Sequence, residues 1–259
     1  MERLAIATSQ PDISRHIALA RRYNSGIEIQ VYGYDPNLLD GGWQNLVATH
    51  KSLLRGFDGE IALHGAFYDM SSSSMDERIV ALTRERYLLS LRIAAELGAR
   101  NVVLHANYFP LVLRPGYLPE WTRREVTFWG EMVEEARRLG VIIALENMWE
   151  PTPDVIAGVL EQVGSPYLGA CLDVGHVYLY SDTVPFHNWL DQLRGQLVHC
   201  HINNNKGLYD EHLALDAAGG VINYDEVMPM LRTLHRPPLI SLEMERLEDL
   251  GRSLRYLGR

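Results

Sequence analysis

Short runs of apolar, β-favouring residues alternate with amphipathic stretches along the whole 259-residue chain. Such runs are typical of strands buried on both faces of a parallel sheet, in which a helix connects each strand to the next. Eight strand–helix repeats predict a single α/β domain over residues 1–259, a (β/α)₈ TIM barrel. The alternative is an open doubly wound sheet, but no GxGxxG motif follows the first run. The predicted strands are residues 4–9, 26–31, 61–66, 101–107, 141–148, 168–174, 197–203 and 239–244.

Several amphipathic stretches carry residues that start or interrupt helices. Ser74, followed three residues later by Glu77, forms a capping-box pattern that predicts a helix start. Thr152 is predicted to cap a helix whose first residue is Pro153. Pro229 lies inside a further stretch and is expected to kink or shorten that helix.

The charge balance narrows the class of partner. The chain has 24 Lys and Arg residues against 33 Asp and Glu, a formal net charge of −9. This balance argues against broad electrostatic binding to nucleic acid, although a local basic groove is compatible with the same net charge. The first residues show no signal-peptide pattern and no apolar run is long enough to cross a membrane, which predicts a cytoplasmic protein without membrane partners. Cys171 and Cys200 are accordingly expected to be buried thiols, not a disulfide.

Residues 168–178, LGACLDVGHVY, show how polar residues end these strands. An apolar run ends at Asp173, and Gly175 and His176 follow directly. The two polar side chains can converge only if the strand ends near Val174 and the chain turns, which Gly175 permits because it has no Cβ. A carboxylate and an imidazole that meet at a strand end are a candidate metal site. The structural alternative is an aspartate that caps a helix while the histidine packs.

The same pattern recurs on the neighbouring strands. Active sites of (β/α)₈ barrels lie at the carboxyl ends of the strands, where six consecutive strands here carry a side chain that can bind a metal. A lone histidine in an apolar strand is usually a hydrogen-bonded core residue. Six such coincidences on adjacent strands instead predict a shared metal centre. The side chains are His64, His105, Glu146, Asp173 with His176, His201 and Glu243.

The seventh strand and its loop extend this candidate centre. His199 and His201 are two residues apart and should both face the interior, with His201 as a ligand and His199 supporting it from a deeper layer. Asp210 and His212 have the same spacing in the following loop. Alone they fit an ordinary polar loop, but beside the other residues they become candidates for a second or third metal position.

Other side chains are expected to contact a substrate. Glu28 is predicted to face inward from the second strand, where it orients a metal ligand, touches substrate or has a buried structural role. Asn107 and Trp149 lie just past strand ends and are candidates to line a pocket. Arg246 is a candidate partner for a phosphate or carboxylate, with a solvent-facing role as the alternative. The candidate substrate-binding residues are Glu28, His64, His105, Asn107, Trp149, His176 and Arg246.

In the order of these short motifs the chain resembles the xylose isomerase-like barrel superfamily, which joins sugar isomerases and epimerases to endonuclease IV-type apurinic endonucleases. The resemblance spans essentially the whole chain, and the order of the motifs is specific although each one is weak. Many relatives carry an aspartate three residues after the seventh-strand histidine, where this chain has Asn204. The motifs are His64, His105, ALEN at Glu146, LDVGH at Asp173 and His176, HCHIN at His201, DEH at Asp210 and His212, and SLE at Glu243.

The resemblance implies one of two metal sites. In epimerases of this type one divalent metal is held by the positions that match Glu146, Asp173, His201 and Glu243. In the endonuclease IV type, nine positions form a trinuclear zinc site, and this chain has a suitable residue at all nine. The five additional positions are His64, His105, His176, Asp210 and His212.

Three functions follow as hypotheses. The first is a metal-dependent isomerase or epimerase of a small sugar or sugar derivative, in which Glu146 and Glu243 move a proton next to a carbonyl. The LDVGH motif resembles this branch. The second is a zinc phosphodiesterase acting on abasic DNA, which the nine positions favour and the net charge opposes. The third is a non-catalytic barrel that binds a sugar or a metal, although two carboxylates at the metal argue against it.

The expected cofactors and partners follow from the same residues. Mixed carboxylate and imidazole ligands suit Zn²⁺, Mn²⁺, Mg²⁺ or Co²⁺, and no nucleotide cofactor is expected. The expected partner is a small, sugar-like molecule. The flat helical faces of such barrels are compatible with a homodimer.

Overall fold

The structure is a computed structural model that describes residues 2–112, 114–181 and 183–259. Eight parallel strands follow one another around a closed barrel, and the last strand pairs with the first. The predicted (β/α)₈ architecture is therefore confirmed, and the open doubly wound sheet is wrong. The strands are β1 (Arg3–Thr8), β2 (Gly26–Ile29), β3 (Ile61–His64), β4 (Asn101–His105), β5 (Ile142–Glu146), β6 (Leu168–Asp173), β7 (Leu197–Ile202) and β8 (Leu239–Leu242).

Every strand ends one or two residues before its predicted end. The apolar runs continue into the rim of the barrel, where neighbouring chains diverge and ladder hydrogen bonds stop. As a result, polar side chains that were predicted to lie near strand ends occupy the last paired residues of β3, β4, β5 and β6.

Eleven helices surround the barrel in the described residues, and some begin elsewhere than predicted. The capping box at Ser74 is wrong, because the helix that begins at Glu77 is capped by the side chain of Asp76. Pro153 is the residue before its helix instead of the first helical residue. A nine-residue helix accommodates Pro229 in its interior. The helices are α1 (Ser14–Arg22), α2 (Val31–Tyr34), α3 (Pro36–Asp40), α4 (Trp43–Leu53), α5 (Glu77–Leu97), α6 (Tyr117–Leu139), α7 (Asp154–Val163), α8 (Val174–Tyr180), α9 (Phe186–Leu193), α10 (Tyr224–Arg232) and α11 (Leu247–Tyr256).

Large apolar side chains fill the space between the barrel and the helices. Trp121 and Trp129 of α6 are fully buried there, and Tyr87 of α5 stacks on Trp129 with ring centroids 5.6 Å apart. Inward-facing positions of the strands carry smaller apolar groups. Polar residues occupy the carboxyl end of the barrel. The inward clusters are Ala5, Ala62 and Leu239, and Val103, Ala144 and Cys171.

Both cysteines are free thiols in the interior, as the sequence predicts. Cys171 of β6 and Cys200 of β7 are fully buried, and burial raises the pKa of both thiols. Across the described parts of the chain, no helix combines the length and apolarity that crossing a membrane requires.

Candidate metal centre

Polar side chains from six neighbouring strands meet at the carboxyl end of the barrel. The parallel register sets them level with one another, since His105 pairs with Glu146 and Asp173 pairs with His201. All six side chains are buried and face one another in the interior. They are His64 at the end of β3, His105 of β4, Glu146 of β5, Asp173 of β6, His201 of β7 and Glu243 directly after β8.

Glu146 lies at the middle of this cluster. Its Oε2 atom is 3.3 Å from His64 Nε2 and 3.1 Å from His105 Nε2. Its Oε1 atom is 3.0 Å from His201 Nδ1 and 3.6 Å from His176 Nδ1. One carboxylate therefore reaches imidazoles on both sides of the barrel.

One group of donors combines Glu146, Asp173, His201 and Glu243, whose ligand atoms all lie within 4.8 Å of one another. His201 Nδ1 is 3.0 Å from Glu146 Oε1, 3.3 Å from Glu243 Oε2 and 3.8 Å from Asp173 Oδ2. Metal–ligand bonds of about 2.1 Å place neighbouring donor atoms roughly 3.0–3.4 Å apart. The spacings from His201 to Glu146 and Glu243 fit a single divalent cation, and the spacing to Asp173 is slightly longer. Three buried carboxylates facing one imidazole also supply the negative charge that such a cation balances.

Two further groups flank the first. His64 and His105 approach Glu146 Oε2 together, with their Nε2 atoms 3.3 Å apart. On the other side, Asp210 Oδ2 lies 3.2 Å from His176 Nε2 and 3.1 Å from His212 Nε2. Among the described residues, the buried Oδ1 atom of Asp210 has no hydrogen-bond partner, which fits a ligand position. All nine sequence candidates thus fall into three adjacent groups.

The junction of β6 and α8 explains how Asp173 and His176 converge. The strand ends at Asp173 and the helix begins at Val174, and Asp173 Oδ1 accepts the backbone N–H of His176 at 2.6 Å. Asp173 is therefore the helix cap of the structural alternative, while its Oδ2 atom faces the metal group. The lack of a Cβ at Gly175, on which the sequence argument depends, matters here through packing and not through an unusual backbone angle. Its φ is not positive, and a Cβ there would lie 2.3 Å from Asn203 Oδ1, so glycine is needed for close approach.

Burial and neighbouring charges shift the pKa values of the carboxylates in the centre. Burial raises the pKa of Asp173 to about 7, with Glu146 and Glu243 adding to the rise and His176 opposing it. Burial alone would also raise the pKa of Glu146, but His201 and His105 hold it well below its ordinary value. A cation among these carboxylates would favour their ionised forms.

The candidates for substrate contact differ in how far their side chains are exposed. Trp149 is 38% exposed beyond β5, and Asn107 is half-buried beyond β4. Glu28 has no exposed surface, and its carboxylate accepts hydrogen bonds from His199 and His201 beneath the centre, so it does not face substrate. The side chain of Arg246 is 73% exposed and lies near the carboxylates that follow it at the start of α11. The solvent-facing alternative therefore describes Arg246.

Sequence reasoning missed three polar residues that support the centre. Asn147 exchanges two hydrogen bonds with the backbone of Asp173, and its carbonyl accepts from His176 Nδ1 at 2.8 Å. Asn203 Nδ2 donates to Asp173 Oδ2, and Gln30 Nε2 donates to Glu243 Oε1 at 2.7 Å. Gln30 and Asn203 each lie two positions after a recognised inward-facing residue, and that spacing was the available signal.

The chain is similar to known proteins in sequence and in structure. The chain is 30% identical over 207 residues to the uncharacterized protein MJ1311 of Methanocaldococcus jannaschii, which covers 78% of this chain and 70% of that protein. Among solved structures, the TTHB071 protein from Thermus thermophilus, soaked with ZnCl₂, is 30% identical with a TM-score of 0.81, covering 100% of this chain and 97% of that one.

A D-tagatose 3-epimerase-like protein has a TM-score of 0.82 at 24% identity, with 100% of this chain and 96% of that chain covered, a likeness of fold. A family model described as a xylose isomerase-like TIM barrel matches residues 18–259. With its closed parallel barrel and this match over most of its length, the chain belongs to the xylose isomerase-like TIM barrel family.

Proposed function

We propose that this protein is a divalent-metal-dependent isomerase or epimerase of a small sugar or sugar derivative. The observation that carries the proposal is the convergence of two glutamates, Glu146 from β5 and Glu243 after β8, on one group with Asp173 and His201. A proton transfer next to a carbonyl needs two such groups, one to remove the proton and one to return it. The likeness in fold to a D-tagatose 3-epimerase-like protein supports the same class of reaction.

The residues divide the reaction between them. A bound divalent cation would supply polarisation of the substrate carbonyl. Glu146, which its low pKa keeps ionised, takes the proton from the carbon next to that carbonyl and becomes protonated. Glu243, which must carry a proton at that stage, gives it to the opposite face or to the neighbouring carbon and becomes ionised. The two glutamates exchange roles in the reverse direction. His176, held through Nδ1 by the carbonyl of Asn147, directs Nε2 to Asp210 beside the centre, and from there this pair would position a substrate oxygen.

Aromatic side chains line the mouth of the barrel beside the metal group. Tyr34 borders a small cavity of about 20 Å³ next to Glu243 and His212. Tyr34 contacts Phe67 with ring centroids 5.1 Å apart, and Phe67 in turn lies 5.3 Å from the rings of both His64 and His105. This aromatic wall offers an apolar face for the carbon skeleton of a sugar.

A second candidate is a phosphodiesterase with a three-metal site. The observation that favours it is the division of nine ligand-type residues into three groups, two of which share Glu146. Metal ions held by these three groups would supply a hydroxide and would stabilise a departing oxygen. The net charge of −9 opposes it, because contacts with phosphates supply most of the affinity for DNA.

Metal content and the Glu146→Gln variant test the proposal. Elemental analysis of protein loaded with Zn²⁺ or Mn²⁺ should give one tightly held metal per chain, and turnover should appear in a panel of ketoses and aldoses. Glu146→Gln should lower kcat about 10²–10⁴-fold while substrate binding persists, since the general base is lost. Three metals per chain, with cleavage of an abasic-site oligonucleotide and no sugar turnover, would establish the phosphodiesterase instead.

A further inference from the structure

Beneath the metal group, β2 and the residue that follows it carry two buried polar side chains that contact two proposed metal ligands. Glu28 has no exposed surface and Gln30 is 3% exposed. We infer that Glu28 and Gln30 are positioning residues: Glu28 fixes the ring of His201, and Gln30 fixes the carboxylate of Glu243, so that one atom of each faces the cation. This inference rests on the metal centre of the proposed function.

The contacts of Glu28 determine which nitrogen of His201 carries a proton. His201 Nε2 lies 3.1 Å from both oxygens of Glu28, and His199 Nε2 lies 2.8 Å from Oε2. An ionised carboxylate only accepts hydrogen bonds, so each imidazole donates through Nε2. The lone pair of His201 Nδ1 is thereby directed at Glu146, Asp173 and Glu243, as a metal ligand requires.

His199 supports the same arrangement from the other side. The side-chain amide of Asn101 lies 3.5 Å from His199 Nδ1 and 3.3 Å from the carbonyl of Val198. With its amide nitrogen donating to Nδ1, Asn101 leaves the proton of His199 on Nε2, where it meets Glu28. The carboxylate is consequently held by two imidazole donors and cannot rotate freely.

Gln30 links Glu28 to the second glutamate. Its Nε2 atom is 3.1 Å from Glu28 Oε1 and 2.7 Å from Glu243 Oε1, and an amide nitrogen has two hydrogens to donate. The contact occupies Oε1 of Glu243, and its Oε2 atom lies 3.3 Å from His201 Nδ1 inside the metal group. A purely structural role would satisfy these buried groups without affecting how the protein binds a metal.

Zinc affinity separates the two roles. We would measure the Zn²⁺ dissociation constant by competition with a chromogenic chelator for the wild type, Glu28→Gln and Gln30→Met. The expected loss is about 10–100-fold for Glu28→Gln and about 10-fold for Gln30→Met, the range seen when residues that support a metal ligand are changed. Glu125→Gln is the matched control, because Glu125 is a fully buried glutamate that contacts Ser72 and Trp129, away from the centre. Its affinity should stay within twofold of the wild type.

A second measurement needs no folded variant at Glu28. Long-range ¹H–¹⁵N spectra of zinc-loaded, ¹⁵N-histidine-labelled wild type should show His201 protonated at Nε2, with its signals assigned by their absence from His201→Gln. A proton on Nδ1, or wild-type zinc affinity in Glu28→Gln, overturns the inference. Sugar turnover is scored separately: weakened zinc binding in a protein without sugar turnover retains this inference and refutes the proposed function. A wild type that binds no Zn²⁺ refutes both.

Discussion

Asp173→Asn should make the metal-free protein more stable while it destroys the metal centre. Asp173 is fully buried, and its pKa of about 7 stands above the ordinary value of 3.8. Because folding raises this pKa, ionisation of Asp173 costs free energy in the folded state. The cost is absent at pH values below the pKa of the unfolded chain and is complete above the pKa of the folded protein. At 1.36 kcal/mol per pKa unit it reaches roughly 4 kcal/mol above pH 7.

The substitution removes this ionisation cost and keeps the helix cap. An asparagine Oδ1 atom can still accept the N–H of His176, whereas the hydrogen bond from Asn203 Nδ2 to Oδ2 is lost at a cost of about 1 kcal/mol. The expected net gain is therefore about 3 kcal/mol at pH 8. At pH 5 the ionisation cost falls to about 2 kcal/mol, so the gain should shrink to roughly 1 kcal/mol.

Urea unfolding in the presence of EDTA measures this difference at both pH values. Asp191→Asn is the matched control, because the side chain of Asp191 is 64% exposed on α9, and it should change the free energy of unfolding by less than about 0.5 kcal/mol. Zinc binding by Asp173→Asn should fall sharply in parallel. An Asp173→Asn protein no more stable than the wild type at pH 8, or one whose gain is the same at pH 5, would refute the reasoning.

Two further predictions concern packing and metal linkage. Gly175→Ala should lower the free energy of unfolding by about 1–3 kcal/mol in urea titrations, because its Cβ would lie 2.3 Å from Asn203 Oδ1; a neutral effect would show that Asn203 moves aside freely. Zn²⁺ or Mn²⁺ at a hundred times its dissociation constant should stabilise the protein by about 2.7 kcal/mol, a rise in Tm of roughly 5–10 °C over an EDTA-treated sample in differential scanning fluorimetry. An unchanged Tm with bound metal would mean that the unfolded chain holds the ion equally well.

The barrel could be predicted because its strands are local patterns. Runs such as residues 101–107 show their apolar character without reference to the rest of the chain. Their ends were placed too late, because hydrophobicity continues past the last ladder hydrogen bond. The cap at Asp76 was missed because Ser74 and Asp76 both have side chains that cap helices well. Only the path of the backbone selects one of them.

The candidate site was predictable in its ligand types but not in its supporting contacts. Strand order alone brings Glu146 and Glu243 to the same end of the barrel. The spacing of Gln30 from Glu28 places it near the interior, but strand order does not predict which side chain it contacts. Its partner Glu243 is 213 residues away. Asp173 has two sequence interpretations, a helix cap and a metal ligand. The structure confirms the cap through Oδ1, and the ligand role of Oδ2 stays a prediction that is compatible with it because a carboxylate has two oxygens.

That division of oxygens also bears on which cation the centre selects. Asp173 Oδ1 accepts a hydrogen bond from α8 and Glu243 Oε1 accepts one from Gln30, so in each carboxylate the other oxygen is the one that faces the metal group. Asp173 Oδ2 also accepts a hydrogen bond from Asn203, which uses one of its two lone pairs. Ca²⁺ takes six to eight oxygen ligands and commonly uses bidentate carboxylates, whereas Zn²⁺ and Mg²⁺ accept fewer or singly bound ones. For the proposed metal centre we therefore expect these hydrogen bonds to favour small divalent ions over Ca²⁺.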